Sequence, residues 1–277
     1  MVKLLIALIL IIALYILAIM PKMLNRPDLS KFTGRYYAHR GLHQDKARVP
    51  ENSLAAFKLA VEKNYGIELD VHLTRDGEPV VFHDYNLMRV CGLDRKIRDL
   101  TFKELRRLSL FDSDQYIPHL QEVLDLVQGR VPLIVEFKIY QEVAEACRII
   151  APYLDSYQGP YCIESFNPMV VYWYKKNRPK VIRGQLATKD IYKEVDYRKG
   201  IMNFVLRNLL FNFITRPDFI AYDQRFSQQF SYRLCKNLYK PLTIAYTIQS
   251  KEALKKKYKE FDLFIFDSFI PKEQEII

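Results

Sequence analysis

Two hydrophobic periodicities follow one another along this chain from about residue 35 to its end. Short runs of four to seven largely apolar residues read as buried strands, and between most of them lie longer stretches with the three-to-four-residue apolar spacing of amphipathic helices. Strands are predicted at residues 36–39, 67–73, 80–83, 133–138, 161–165, 181–185, 219–223, 243–248 and 263–267. Helices are predicted at 54–63, 103–108, 120–127, 142–153, 169–176, 227–237 and 251–258. Such alternation argues for βα units around a parallel sheet, closed as a barrel over most of the chain. Nine strands is one more than a (β/α)8 barrel holds. Because the Asp76-Gly77 turn allows a local hairpin between the second and third, one strand is expected to be irregular or to lie outside the barrel.

Two connections are long. Residues 85–119 form an insertion after the third strand. The connection around 200–215 carries a mostly apolar segment, 201–214, with Asn203, Arg207, Asn208 and Asn212 along one stripe. An element apolar over most of its girth is buried or meets lipid, and both readings stay open here.

The amino terminus has no periodicity. Leu4 to Met20 are 17 consecutive apolar residues, preceded by Lys3 and followed by Lys22 and Arg26. That length sits at the short end of a bilayer span, so residues 1–22 are expected to be a single transmembrane anchor, with a signal peptide as the lesser alternative. Residues 23–34 then form a linker to a catalytic domain over 35–277. The positive charges after the run lean towards a cytoplasmic domain.

Composition narrows the class. Of 277 residues, 49% are hydrophobic and 13% aromatic, which excludes a disordered chain. The net charge of +10 suits nucleic acid, anionic lipid or a phosphate substrate. Its densest run, Lys255 to Lys257, reads as a solvated helix face, and no nucleic-acid partner is expected. Four widely spaced cysteines without a CxxC pair argue against thiolate metal sites and a disulfide framework, and mildly favour a reducing compartment.

The chemistry sits at predicted strand ends, where parallel barrels build their active sites. Glu68 and Asp70 lie two apart on one strand, so both leave the same face, and His72 continues that face. With Glu136, which lies in an otherwise core-like run, they could hold a hard divalent cation through oxygen; Mg²⁺, Ca²⁺ and Mn²⁺ all suit three carboxylates. His39 and His83 end strands and can take and give a proton near neutral pH. Asp84 is as well explained by a turn as by a partnership with His83. Arg40 and Lys138 would neutralise phosphate oxygens. Asn52 or Ser53 can cap the next helix, leaving Glu51 unexplained except as a group in or beside the site.

The order His39-Arg40-Gly41, Pro50-Glu51-Asn52-Ser53, Glu68-Leu69-Asp70-Val71, Thr74-Arg75-Asp76-Gly77, His83-Asp84 and Glu136-Phe137-Lys138 resembles the glycerophosphodiester phosphodiesterase family. The match is specific from Tyr37 to Lys138 and looser through Ser165-Phe166-Asn167 and Tyr246-Thr247-Ile248 to Asp267. The resemblance implies a (β/α)8 barrel with an insertion after the third strand. It implies metal-dependent hydrolysis of glycerophosphodiesters to an alcohol and glycerol 3-phosphate. By the same resemblance His39 and His83 are the acid–base pair, Glu68, Asp70 and Glu136 the metal ligands, and Arg40 and Lys138 phosphate contacts. Glu51, His72 and Tyr246 are further candidate substrate residues, Tyr246 standing where the family usually carries Trp. Ser53 stands for the family's usual Thr, and Phe266-Asp267 for its terminal Thr-Asp. Two other functions remain: cleavage of lysophospholipid or another lipid phosphodiester, motivated by residues 1–22 and 201–214, and a non-catalytic membrane-bound binding module.

Overall fold

The computed structural model describes residues 1–189 and 201–271. Its strands are β1 (Tyr37–His39), β2 (Gly66–Leu73), β3 (Pro79–Val81), β4 (Leu133–Phe137), β5 (Tyr161–Ser165), β6 (Ile182–Ala187), β7 (Phe219–Asp223), β8 (Leu242–Ile248) and β9 (Leu263–Phe266). The sheet runs β1-β9-β8-β7-β6-β5-β4-β2-β3, and pairing of β1 with β2 closes the eight parallel strands into a barrel. The ninth strand is β3. It pairs antiparallel with β2, Val71 opposite Val81, as the Asp76-Gly77 turn requires. His83 therefore leaves a hairpin beside the barrel mouth rather than a barrel strand.

Eleven α-helices lie among the described residues: α1 (Val2–Ala18), α2 (Leu54–Glu62), α3 (Met88–Cys91), α4 (Phe102–Leu105), α5 (Leu120–Val127), α6 (Val143–Ser156), α7 (Pro168–Asn177), α8 (Ile201–Arg207), α9 (Asn212–Thr215), α10 (Phe230–Tyr239) and α11 (Lys251–Lys257). Helix α5 illustrates how they form. His119 caps it and Glu122 completes the capping box, while Leu120, Val123, Leu124 and Val127 make one buried stripe. Each fully buried side chain of this size contributes about 1.5–3 kcal/mol.

Alternation along the strands divides the core. Ile67, Leu69 and Val71 of β2 pack with Leu133, Val135 and Phe137 of β4 beneath the helices. The intervening residues face the barrel axis, where Tyr37, Ile134, Cys162, Ile244 and Ile265 form an apolar plug. Above that plug the register sets Asp70 opposite Glu136 and Glu136 opposite Glu164. The insertion has its own small core, including Phe82, Leu87, Val90, Ile97, Leu105 and Leu110, which keeps it folded against the mouth.

The expectation of a transmembrane anchor is overturned. Among the described residues no helix is long and apolar enough to cross a membrane. Helix α1 has 17 residues, about 25 Å at 1.5 Å per residue, against a hydrocarbon core of about 30 Å. Its far end is fastened to the barrel. Ile19 is buried and its carbonyl accepts from the Asn212 amide at 3.1 Å. The Tyr239 hydroxyl donates to the Ile16 carbonyl at 2.7 Å, and Tyr15 donates to Ser231 at 2.8 Å. An apolar run alone does not distinguish a span from a shorter helix docked at one end.

Segment 201–214 is no continuous helix either. It divides into α8 and α9, and Asn203, Asn208 and Asn212 are buried, with Leu206 and Leu209 beside them. The asparagine stripe faces protein, where Asn208 accepts from Ser231 at 2.6 Å, while Phe204 and Phe213 stay exposed at 47% and 40%.

Candidate active site

Where the chain leaves β1, Arg40 takes a left-handed backbone (φ +56°) and Gly41 follows at +80°. The turn aims the Arg40 amide at Glu68 Oε2, 3.1 Å away. Only glycine fits next, since a Cβ at Gly41 would lie 2.8 Å from the Ala56 Cβ. Ser53 then caps α2, accepting from the Ala56 amide at 3.1 Å. Asn52 is left for another role: its amide donates to Asp70 Oδ2 at 2.9 Å.

Glu68, Asp70 and Glu136 present carboxylate oxygens within 4.8 Å of one another, all three buried. Lys138 stands among them, its Nζ 2.8 Å from Glu136 Oε1 and 3.3 Å from Asp70 Oδ1. Arg40 Nε is 3.7 Å from Asp70 Oδ2. Burial raises the Glu68 carboxyl well above its usual range, and the neighbouring carboxylates add to that. Asp70 goes the other way: against its burial, Lys138, His83 and Arg40 hold it below the ordinary carboxylate range. Three hard oxygen donors with two fixed cations fit a divalent ion of the oxygen-loving class.

These groups open onto a cavity of about 170 Å³ lined by His39, Arg40, Glu68, His83, Glu136, Lys138 and Tyr246 among others. Asp70 does not itself line the cavity. Each histidine is backed by a carboxylate. His39 Nδ1 lies 3.1 Å from Asp267 Oδ2, and His83 Nδ1 lies 2.6 Å from Asp84 Oδ1. That leaves Nε2 of each ring for chemistry. Burial lowers the pKa of both rings. Arg40 reinforces this at His39; Lys138 and then Arg40 do so at His83. Both shifts favour the neutral imidazole, the form that accepts a proton.

Glu51 and His72 lie outside the lining of this cavity. Glu51 grips Arg40 Nη1 at 2.7 Å and Arg89 Nη2 at 2.6 Å. Against its burial these guanidiniums, Arg89 first, hold its pKa to about 2. His72 is buried, 3.1 Å from the His83 carbonyl, and burial lowers its pKa to about 4. Tyr246 donates to the Ala187 carbonyl at 2.8 Å and sets its ring edge-on to Phe166.

Glu164 and Arg89 carried no reading in the sequence, and Asp267 stood there only as the counterpart of the family's terminal Asp, without a role. Asp267 binds both His39 and, at 3.2 Å, His43, holding its own pKa low despite burial. Its signal was its place just beyond the last strand. Glu164 is 1% exposed, lines the cavity, and has no hydrogen-bond partner for Oε2 among the described residues. Burial, then Glu136, raises its pKa strongly. Alternation with Cys162 in an otherwise apolar strand was the clue. Arg89, from the insertion, carried no local signal.

Fold and site together define a parallel barrel with an acidic cation-type centre and two carboxylate-backed histidines at its mouth. The sequence profile of the glycerophosphoryl diester phosphodiesterase family matches residues 39–219, and the chain belongs to that family. It is 35% identical over 163 residues to a glycerophosphodiester phosphodiesterase of Caldanaerobacter subterraneus, covering 54% of this chain and 65% of that one. It is 31% identical over 136 residues to human lysophospholipase D, covering 44% and 42%. The chain thus matches less than two-thirds of the length of these relatives. Among solved structures, an Oleispira antarctica phosphodiesterase in complex with the product sn-glycerol-3-phosphate superposes with a TM-score of 0.66 at 26% identity, covering 85% of this chain and 93% of that one.

Proposed function

We propose that this protein hydrolyses glycerophosphodiesters, releasing an alcohol and glycerol 3-phosphate. The observation that carries the reading is the placement of two carboxylate-backed histidines around one cavity with Arg40, Lys138 and the acidic trio. Arg40 and Lys138 take the phosphate oxygens and balance the charge that builds up as the phosphorus is attacked. One histidine removes the proton from the attacking hydroxyl or water as the new P–O bond forms. The other enters the cycle as the imidazolium, carrying a proton from solvent on Nε2, and gives it to the departing alcohol as the old P–O bond breaks; the proton taken by the first ring returns to solvent to close the cycle. Asp267 and Asp84 hold each ring in the tautomer with Nδ1–H bound and Nε2 presented. A divalent cation held by Glu68, Asp70 and Glu136 would polarise the phosphoryl oxygen.

The test is release of glycerol 3-phosphate from glycerophosphocholine and glycerophosphoethanolamine by the purified chain with Mg²⁺, Ca²⁺ or Mn²⁺. His39→Ala and His83→Ala are expected each to lose on the order of 10²–10⁴-fold in rate. If no glycerophosphodiester is cleaved and the alanine variants behave as the parent does, the protein is a binding module.

The likeness to human lysophospholipase D supports a second reading, in which the same groups cleave lysophospholipids. Lysophosphatidylcholine in the same panel separates them: a kcat/KM above that for glycerophosphocholine favours the lipid, the reverse favours the water-soluble diester.

A further inference from the structure

Residue Arg89 lies on α3, inside the insertion, and its side chain is 43% exposed. It nevertheless makes four hydrogen bonds to two carboxylates. Nε and Nη2 reach Asp84 Oδ2 and Oδ1 at 2.6 and 3.1 Å. Nη1 and Nη2 reach Glu51 Oε2 and Oε1 at 3.0 and 2.6 Å. Beyond those carboxylates stand the working groups. Asp84 holds His83 Nδ1 at 2.6 Å, and Glu51 holds Arg40 Nη1 at 2.7 Å. The guanidinium also sits 5.7 Å from the Phe111 ring, so the insertion fixes it from behind.

We infer that Arg89 is a positioning residue joining the two halves of the catalytic apparatus, setting the His83 ring through Asp84 and the Arg40 fork through Glu51. The inference rests on the function proposed above. A planar fork suits the task because it offers donors to two carboxylates in fixed directions, whereas an ammonium is a single point charge. Without Arg89, Asp84 keeps His83 as its only charge-bearing neighbour in this network and is free to swing with it. Glu51 then faces Arg40 alone. The network therefore links proton transfer to phosphate binding through one side chain that stands outside the lining of the cavity shared by His39, Arg40, His83 and Lys138. Arg89 also stabilises the fold through Glu51, whose carboxylate it holds below its ordinary pKa, so the test must separate rate from stability.

The test compares Arg89→Met and Arg89→Lys with the parent in the full chain, loaded with its preferred cation. Groups that orient reacting residues typically contribute 10–100-fold, and kcat for glycerophosphoethanolamine is expected to fall by about that factor in Arg89→Met. KM should rise as well, through Arg40, and the urea midpoint should fall no further than in Glu51→Gln, so kinetics are read where both proteins are folded. Arg89→Lys should recover only a small part of the rate. The downfield Nδ1–H resonance of His83, identified by its loss in His83→Asn, should shift or broaden in Arg89→Met. That of His39, bound to Asp267, should stay in place. The inference is overturned if kcat and KM remain within twofold of the parent. Full rescue by lysine overturns it too, as does a fall in rate with the His83 proton unmoved or with both histidine protons displaced. If the parent itself cleaves no glycerophosphodiester, the proposed function fails instead, and the two proton resonances still decide whether Arg89 sets the His83 ring.

Discussion

Replacing Lys138 by methionine tests whether the acidic cluster is held together by its internal cations. The Lys138 side chain is 2% exposed and its Nζ lies 2.8 Å from Glu136 and 3.3 Å from Asp70. At an effective dielectric of about 20, each of those pairs attracts by about 5–6 kcal/mol. Part of that gain offsets the cost of burying the ammonium, a cost the methionine variant no longer carries. What remains is the penalty of leaving buried carboxylates without their partner, about 3–5 kcal/mol. For a domain of this size 1 kcal/mol moves the melting temperature by about 2–4 °C, so Lys138→Met should melt about 6–20 °C below the parent. The measurement is thermal unfolding followed by circular dichroism, first with a chelator and then with saturating Mg²⁺ or Ca²⁺. The deficit should be largest in chelator and should narrow with cation, because the ion supplies positive charge to the same oxygens. A variant melting within 2 °C of the parent in chelator would refute the reasoning: the carboxylates would then not depend on Lys138.

Three further outcomes follow from the geometry. Asp267→Asn should lower kcat by about 10–100-fold with little change in KM, since it removes the charge that orients His39 without touching the phosphate contacts; steady-state kinetics would show it. Glu51→Gln should cost stability at pH 7. The folded pKa of about 2 lies below the ordinary 4.5, so Glu51 contributes fully above about 4.5, and the difference between parent and variant should vanish as pH falls towards 2. Urea unfolding at pH 7, 5 and 3 measures that trend. Gly41→Ala should destabilise by at least about 1 kcal/mol in the same assay, because it combines a positive φ with a Cβ 2.8 Å from Ala56.

What the sequence disclosed was what local pattern determines. Alternation of strand and helix showed the parallel barrel, and Asp76-Gly77 marked the hairpin that removes β3 from it. The two-residue spacing of Glu68 and Asp70 put them on one face, and strand register then brought Glu136 to them. The role of Asp267 was hidden because its partner His39 is 228 residues away, across the closure of the barrel. Arg89 was hidden because an arginine on a short helix in an insertion looks like any solvated one. The apolar run at 4–20 misled for a related reason. Its composition is that of a membrane span, while its length and the bonds from Tyr239, Asn212 and Tyr15 are those of a helix end docked on α9 and α10. The asparagine stripe of 201–214 likewise carries no sign of whether it faces protein or solvent.

On this reading the carboxylates of Glu68, Asp70 and Glu136 work through a divalent cation. That is tested most directly by turnover of glycerophosphoethanolamine after exhaustive chelation, with Mg²⁺, Ca²⁺ and Mn²⁺ titrated back singly. Glycerol 3-phosphate release should be abolished by chelation and restored saturably by at least one ion. Undiminished release in the chelated protein would mean that the carboxylates act without a cation.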